Sequence, residues 1–255
     1  MRALQDLVEV IARLRGPGGC PWDRQQTHAS LKRYLIEECY EALEAIDARD
    51  PKRLSDELGD VLIQVLLHAQ IAAERGDFDI EDIAQGTVRK LRHRHPHVFG
   101  DVQVRDADEV IVNWERLKHQ EPVNRGRESL LDGVPEALPA LLRALKTQKR
   151  AARVGFDWED VTGPLEKVDE ELRRDIAEGK DAADEVGDLL FAVVNVARFL
   201  DVDPEDALRA TVRKFRERFA CIEAAARRQG RAIEEMTVEE MDAVWDRTKS
   251  SAESE

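Results

Sequence analysis

The chain has 255 residues, of which 53 are acidic and 39 basic, so its formal net charge is −14 at pH 7. This length is enough for one large domain or two smaller ones with proper hydrophobic cores. The acidic balance excludes a general binder of nucleic-acid polymers, which needs an excess of Lys and Arg on one face. A small phosphorylated ligand is still compatible, because a metal ion reverses the local charge.

The sequence predicts a cytoplasmic protein without a membrane partner. Three cysteines, Cys20, Cys39 and Cys221, show no C-x-x-C spacing, which is typical of a reduced compartment. The N-terminal stretch MRALQDLVEVIARLRG has the pattern of an amphipathic helix and not of a secretion signal. The most apolar stretch, VLIQVLLHAQIAA at 61–73, is short and interrupted by Gln and His, so we expect a buried helix there.

Helical periodicity recurs along the chain and no alternating strand pattern is found, so we expect an all-α fold. Turn residues separate the helices, as in RGPGGCP after the first helix and HPHVFGD at 95–101. The predicted helices are 3–12, 29–47, 52–75, 80–94, 106–119, 136–151, 164–177, 180–200, 204–229 and 237–248.

Short motifs from the first half of the chain return in the second half in the same order. They are DELGD at 56–60 and DEVGD at 184–188, TVRK at 87–90 and 211–214, and Trp114 with Lys118 and Trp245 with Lys249. This order predicts two tandem copies of one four-to-five-helix module. The N-terminal module is predicted at 1–120 and the C-terminal module at 136–255, joined by a polar linker at 121–135.

Three glutamates of helix 29–47 are spaced to converge on one patch. Glu38 and Glu41 are three residues apart, and Glu37 and Glu41 are four apart. On a helical wheel Glu38 borders an apolar face. That predicted face consists of Leu31, Leu35, Cys39, Ala42, Leu43 and Ile46. For this helix alone, a solvated acidic face is the alternative.

The following helix, 52–75, is apolar almost all the way round, which is typical of a buried helix. Glu57 and Asp60 nevertheless lie within it. Acidic residues are rarely buried unless they are paired or coordinate a metal. Gly59 lowers helix propensity by about 1 kcal/mol relative to Ala, and we expect it to allow close approach of helix 29–47.

Together the two helices predict a cluster of Glu38, Glu41, Glu57 and Asp60. Four carboxylates in a small volume repel one another and take up protons unless a cation lies among them. We expect no Lys or Arg on these faces, so a hard divalent ion is the better partner. The prediction is Mg²⁺, with Mn²⁺ as a substitute. An iron site is disfavoured, because no histidine has a glutamate three residues before it.

An E-E-x-x-E motif followed by E-x-x-D on two antiparallel helices resembles the MazG family of all-α nucleoside triphosphate pyrophosphohydrolases. The resemblance extends over nearly the whole chain. The stretches that carry it are GGCPWDRQQTHASL (18–31), EECYE (37–41), ELGD (57–60), RHPHVFGD (94–101), LLDGVPEALPALLRALKTQKRAARVGFDW (130–158), KVDEEL (167–172) and DEVGDLLFAVVN (184–195).

The resemblance implies Mg²⁺-dependent hydrolysis of nucleoside triphosphates, ATP among them, to the monophosphate and pyrophosphate. It also implies a broad base range, ribo and deoxy, and a homodimer or higher homo-oligomer. By motif position, Glu38, Glu41, Glu57 and Asp60 would be metal ligands, and Glu37 would orient or deprotonate the attacking water. The mechanism we expect is attack of a metal-activated water on the α-phosphorus.

The same motifs imply further residues in both modules. In the C-terminal module the metal ligands would be Glu171, Glu185 and Asp188. Cationic side chains are needed to cover the phosphate charge, and a tryptophan is suited to stack on a base. The expected substrate contacts are Lys90, Arg94, Trp114, Lys118, Lys167, Glu170, Glu171, Lys214, Arg218, Trp245 and Lys249.

The two copies are not equal, because the second motif reads EELRR and has Arg174 at the third glutamate position. A cation in place of a ligand weakens metal binding, so the N-terminal site is predicted to be the complete one. A contact of Arg174 with phosphate is the alternative. Two other functions remain open: a narrow-specificity dUTPase-like hydrolase, and a non-catalytic helical nucleotide-binding protein.

Overall fold

A computed structural model of the chain describes residues 2–121, 129–172 and 182–252. The chain divides into two compact units, Met1–Arg125 and Gly126–Glu255. Helices and turns make up the described residues, and no strand is found among them, so the predicted all-α class is confirmed. No helix in these ranges is long and apolar enough to cross a membrane.

The helices of the first unit follow the predicted order, with two short additions. They are α1 (Arg2–Arg15), α2 (Pro21–Gln25), α3 (His28–Asp47), α4 (Pro51–Ala73), α5 (Ile80–Arg94), α6 (Pro96–Phe99) and α7 (Ala107–Gln120). The additions α2 and α6 lie in segments predicted as turns. Each begins with a proline, which suits the first helical position because its φ is already helical and its missing N–H is not needed there.

The described residues of the second unit form five α-helices and one 3₁₀ turn. They are α8 (Ala140–Ala152), α9 (Thr162–Glu170), α10 (Ala182–Phe199), α11 (Pro204–Arg228), the 3₁₀ turn Ile233–Glu235 and α12 (Val238–Ala252). The predicted helix 136–151 starts four residues too early, because α8 begins only after Pro139. Parts of the predicted linker (122–128) and of helix 164–177 (173–177) lie outside the described residues.

The core of the first unit forms where α1, α3 and α4 meet. It consists of Ile11, Leu31, Leu66, Leu67 and Ile71. Side-chain caps determine where the two central helices begin. The Thr27 hydroxyl accepts a hydrogen bond from the Ser30 amide before α3, and the Asp50 carboxylate accepts from two amides at the start of α4. These caps set the register of the acidic residues that follow.

The second unit has its own core between α11 and α12. It consists of Ile222, Ala225, Ala226, Met236 and Val244. A polar contact joins α8 to α10, where the Gln148 amide donates to the carbonyl of Phe191 at 2.7 Å. An ion pair of Arg198 with Asp157 holds the end of α10, and this contact lowers the pKa of the Asp157 carboxyl.

Candidate metal centre and active site

Glu38 lies inside the stripe of α3 that packs on α4. Leu31, Ala42 and Ala45 are the buried members of this stripe, and Glu38 is half-buried seven residues after Leu31. The predicted apolar face was therefore partly wrong. Its members Cys39, Leu43 and Ile46 are exposed.

The prediction that α4 is buried all round holds only for its second half, where α1 covers it. Buried there are Gln64, Leu66, Leu67, Ala69, Ile71 and Ala72. In the first half Leu58 is 52% exposed, Asp60 is exposed and Glu57 is half-buried. The expected close approach at Gly59 was also wrong, because in the described part of the chain a Cβ at Gly59 would meet no atom of another helix within 4 Å. The acidic residues thus lie where the α3–α4 contact opens to solvent.

The structure brings three of the four predicted ligands together. One carboxylate oxygen each from Glu38, Glu41 and Glu57 lies within 4.8 Å of the others. Ligand oxygens of an octahedral Mg²⁺ are at most about 4.2 Å apart, so small side-chain movements would suffice for all three to bind. Asp60 lies outside this group, one turn after Glu57 on α4. The donor set is all carboxylate oxygen, the chemistry that Mg²⁺ and Mn²⁺ prefer.

Two carboxylates of this acidic cluster have raised pKa values. Burial raises the pKa of Glu38 most, and the nearby charges of Asp60, Glu41 and Glu37 add to the effect. The pKa of Glu41 is raised chiefly by the negative charge of Glu57, followed by burial. Desolvation and like-charge repulsion produce this sign, and a divalent cation among the oxygens would reverse it.

A basic residue also reaches the acidic cluster, contrary to the expectation of none. Arg53 Nε donates to Glu57 Oε1 at 3.2 Å, and Arg53 Nη2 donates to Glu44 Oε2 at 3.1 Å. The Arg53 side chain is 42% exposed, and exposed pairs of this kind contribute little to stability. Arg53 therefore pairs directly with Glu57, and its charge also lowers the pKa of Glu41, although the net shift of the Glu41 pKa is upward.

The acidic residues of the second unit are arranged differently. Glu171 is only 2% exposed, and Lys167 Nζ lies 2.5 Å from Glu171 Oε1 and 3.3 Å from Glu170 Oε2. Across 129–172 and 182–252 no three acidic side chains come within ligand distance of one another, so Glu171, Glu185 and Asp188 do not form a second such group. Arg174 lies outside the described residues.

In each unit an arginine and a tryptophan that were both predicted as substrate contacts lie close to each other. The Arg94 guanidinium carbon lies 5.2 Å from the Trp114 ring centre, and that of Arg218 lies 5.4 Å from the Trp245 ring centre. Arg94 also binds Glu121 through two hydrogen bonds of 2.7 Å. The predicted lysines differ in exposure. Lys90, Lys214 and Lys249 are exposed, and Lys118 is half-buried.

Sequence reasoning missed a polar group farther along the same α3–α4 contact. His28 Nδ1 lies 2.7 Å from His68 Nδ1, and their rings are stacked. Burial lowers the pKa of His68. Gln64 Oε1 and His68 Nε2 are buried without a hydrogen-bond partner in the described part of the chain. The sequence does contain a signal for this polar group, because Gln64 and His68, four residues apart, interrupt the apolar run of α4.

The α3–α4 pair and its carboxylates lie in a segment that matches the profile of a known protein domain family. Residues 26–99 match the profile of the MazG nucleotide pyrophosphohydrolase domain. This range contains Glu37, Glu38, Glu41, Glu57 and Asp60.

Similarity to whole proteins extends over both units. The chain is 47% identical over 252 residues to the nucleoside triphosphate pyrophosphohydrolase/pyrophosphatase MazG of Thermotoga maritima, covering 98% of this chain and 96% of that protein. It is 42% identical over 257 residues to the nucleoside triphosphate pyrophosphohydrolase of Escherichia coli K12, covering 98% of each. It is 52% identical to YabN of Bacillus subtilis, with 95% of this chain and 50% of that protein covered. The chain belongs to the MazG family.

Proposed function

We propose that this protein hydrolyses nucleoside triphosphates to the monophosphate and pyrophosphate with Mg²⁺ bound by Glu38, Glu41 and Glu57. The observation that carries the proposal is the convergence of these three carboxylates within 4.8 Å. They lie in the segment that matches a nucleotide pyrophosphohydrolase domain. Two relatives that align with nearly the whole chain are named nucleoside triphosphate pyrophosphohydrolases, which supports the same activity. Asp60, one turn from Glu57, would complete the ligand set.

The acidic side chains have separate tasks in the proposed reaction. A bound Mg²⁺ lowers the pKa of water and neutralises phosphate charge. Glu37 is exposed beside the acidic cluster and contributes to the raised pKa of Glu38 and Glu41. Glu37 would take the proton of the water that attacks the α-phosphorus, and a positioned base adds about 10²–10⁴-fold to the rate. Pyrophosphate then leaves as the product.

Arginine, lysine and tryptophan side chains would hold the rest of the nucleotide. A guanidinium matches phosphate oxygens through paired N–H groups, which suits Arg94 and Arg218. Lysines contribute point charges. Trp114 and Trp245 offer flat rings to a base, and stacking is tolerant of base identity because every base has a π-face. This arrangement supports a broad range of ribo and deoxy substrates, and the three free thiols fit a reducing, cytoplasmic location.

Separate glutamine substitutions in the two units test the proposal. We expect Glu41→Gln to lower pyrophosphate release with Mg²⁺ by at least about 100-fold, because one of the three converging carboxylates is lost. Glu185→Gln should retain most of the activity. The assay measures pyrophosphate and orthophosphate from a panel of ribo and deoxy nucleotides, with Glu109→Gln on α7 as a control.

The same assay separates the other functions. Loss only in Glu185→Gln would move the active centre to the second unit. Orthophosphate as the first product would contradict attack at the α-phosphorus. Release from dUTP alone would favour the narrow hydrolase, and no release from any nucleotide despite binding would favour the non-catalytic protein.

An exposed apolar surface supports the homodimer as a further part of the proposal. Ile36, Tyr40 and Leu43 lie at spacings of four and three on α3 and are 56%, 41% and 36% exposed. Leu58 on α4 is 52% exposed. Contiguous exposed apolar side chains mark protein–protein interfaces, and we propose that a second copy of this chain covers them. Ile36→Asp should convert the dimer to a monomer in light scattering, whereas a monomeric wild type would contradict the assembly.

A further inference from the structure

Glu121 occupies the guanidinium fork of Arg94. Arg94 Nε donates to Glu121 Oε1 and Arg94 Nη2 donates to Glu121 Oε2, both at 2.7 Å. The two side chains are only 15% and 11% exposed, so this is a largely desolvated ion pair. Such a paired contact has the geometry in which arginine also binds a phosphate group.

Other basic residues surround the same carboxylate. The hydrogen bonds from Arg94 lower the pKa of Glu121 most, and the nearby charges of His93 and Lys90 lower it further. Lys90 and Arg94 are two of the side chains expected to bind the substrate phosphates. Glu121 therefore lies within the group of cations that the proposed function assigns to an anionic ligand.

The second unit has the arginine and the tryptophan without this carboxylate. Arg218 lies over Trp245 as Arg94 lies over Trp114. Glu121 follows Trp114 by seven residues, and the residue seven after Trp245 is Ala252. Among the described residues, no carboxylate forms an ion pair with Arg218. The two units thus differ in whether their arginine is already bound to an acid.

We propose that Glu121 competes with the substrate phosphates for Arg94, so that nucleotide binding in the first unit requires exchange of a carboxylate for a phosphate. This inference rests on the proposed function, since it takes Lys90 and Arg94 as phosphate contacts. It makes Glu121 a residue that weakens triphosphate binding in the first unit and has no equivalent at position 252.

The position of Glu121 favours such an exchange. Glu121 is the C-cap residue directly after α7, where the helix dipole is negative and disfavours a carboxylate. Part of the attraction to Arg94 is offset by this dipole. A phosphate that takes over the guanidinium keeps Arg94 paired and lets Glu121 return to water.

Direct binding of inorganic tripolyphosphate, measured by titration calorimetry, tests the inference without any turnover. All full-length variants carry Arg218→Gln, so that the second unit's arginine does not contribute to the signal. We expect Glu121→Gln to bind tripolyphosphate about fivefold more tightly than its parent, because one competing charged acceptor is removed. The gain should shrink at high salt.

Matched variants identify the cause. Glu109→Gln removes an equal charge from the same helix, where Glu109 pairs with Arg105 at 2.9 Å, and should leave the affinity unchanged. Adding Arg94→Gln to Glu121→Gln should abolish the gain. If Glu121→Gln does not fold, as judged by circular dichroism, Glu121→Asp serves instead, with an expected gain of about twofold from the weakened fork contact.

Two outcomes would overturn the inference. Unchanged or weaker binding in the folded Glu121 variant would mean that Glu121 positions Arg94 for the substrate. A gain of equal size in Glu109→Gln would mean that the tighter binding comes from the change in net charge and not from release of Arg94. Failure of the proposed function is a separate result, seen as no pyrophosphate release from the wild-type protein, whatever the tripolyphosphate affinities of the variants are.

Discussion

Glu38→Gln should lower pyrophosphate release by at least about 100-fold while making the metal-free protein more stable. The side chain keeps its size but loses the charge that would bind the cation. Glu38 is the member of the acidic cluster that lies within the α3–α4 packing stripe, so its burial is the largest cause of its raised pKa. Activity and stability are expected to move in opposite directions at this one position.

The stability gain has a defined pH dependence. The pKa of Glu38 is raised in the folded protein, so its negative charge opposes folding at every pH above that raised value. The cost disappears as the pH falls through the raised pKa to below the ordinary pKa of glutamate, because the residue is then protonated in both states. The advantage of Glu38→Gln should therefore be largest near pH 7 and should vanish in acid.

Thermal unfolding at several pH values, with chelator and with Mg²⁺, measures this prediction. Mg²⁺ should raise the unfolding temperature of the wild type more than that of Glu38→Gln, because a ligand stabilises the state that binds it. Glu9→Gln on α1 is the control, since Glu9 is exposed and lies outside the converging group. A metal-free Glu38→Gln protein less stable than the wild type would contradict the electrostatic interpretation of the acidic cluster.

Leu31→Ala should destabilise the first unit by about 3 kcal/mol, within the range found for leucine cavities. Leu31 is fully buried and lies in the core with Ile11 and Leu67. It is two helical turns before Glu38 on the same stripe of α3, so a cavity there should also loosen the acidic cluster and reduce turnover.

Hydrogen exchange of the α3 and α4 amides distinguishes this loss from changes in the second unit. Leu91→Ala on α5 is the matched control, because Leu91 is 44% exposed and its truncation should cost less than about 1 kcal/mol. Equal losses for the two leucines would contradict the position of the core.

The grouping of the carboxylates could be predicted from sequence, but the predicted packing face of α3 differs from the face that contacts α4. Residues three and four apart on a helix share a face wherever the helix packs, so Glu38 and Glu41 were correctly grouped. The wheel correctly included Ala42 but added the larger apolar residues Leu43 and Ile46, which are exposed, and left out Ala45, which is buried. Small side chains allow two helices to approach closely, and this preference is not visible in hydropathy.

Some ion pairs could be predicted from sequence and one could not. Arg53 with Glu57 and Lys167 with Glu171 are four residues apart, so helical spacing alone could have identified both. The contact of Arg94 with Glu121 spans 27 residues and depends on how α5 packs against α7. No local pattern encodes that packing. The competition proposed at Arg94 could therefore be seen only in three dimensions.

Gly59 bears on attempts to make the protein resistant to heat. Within residues 2–121, 129–172 and 182–252, and apart from the adjoining backbone of its own helix, neither Gly59 nor its counterpart Gly187 has an atom within 4 Å of where a Cβ would lie, and an alanine would favour each helix by about 1 kcal/mol. A directed-evolution screen for heat resistance alone would thus enrich alanine at both positions. Glycine would be retained only if a nucleotide, a metal with its waters or a second copy occupies the space that the alanine methyl group would take. The residue that the screen selects would therefore show whether this space beside the acidic residues is filled in the working protein.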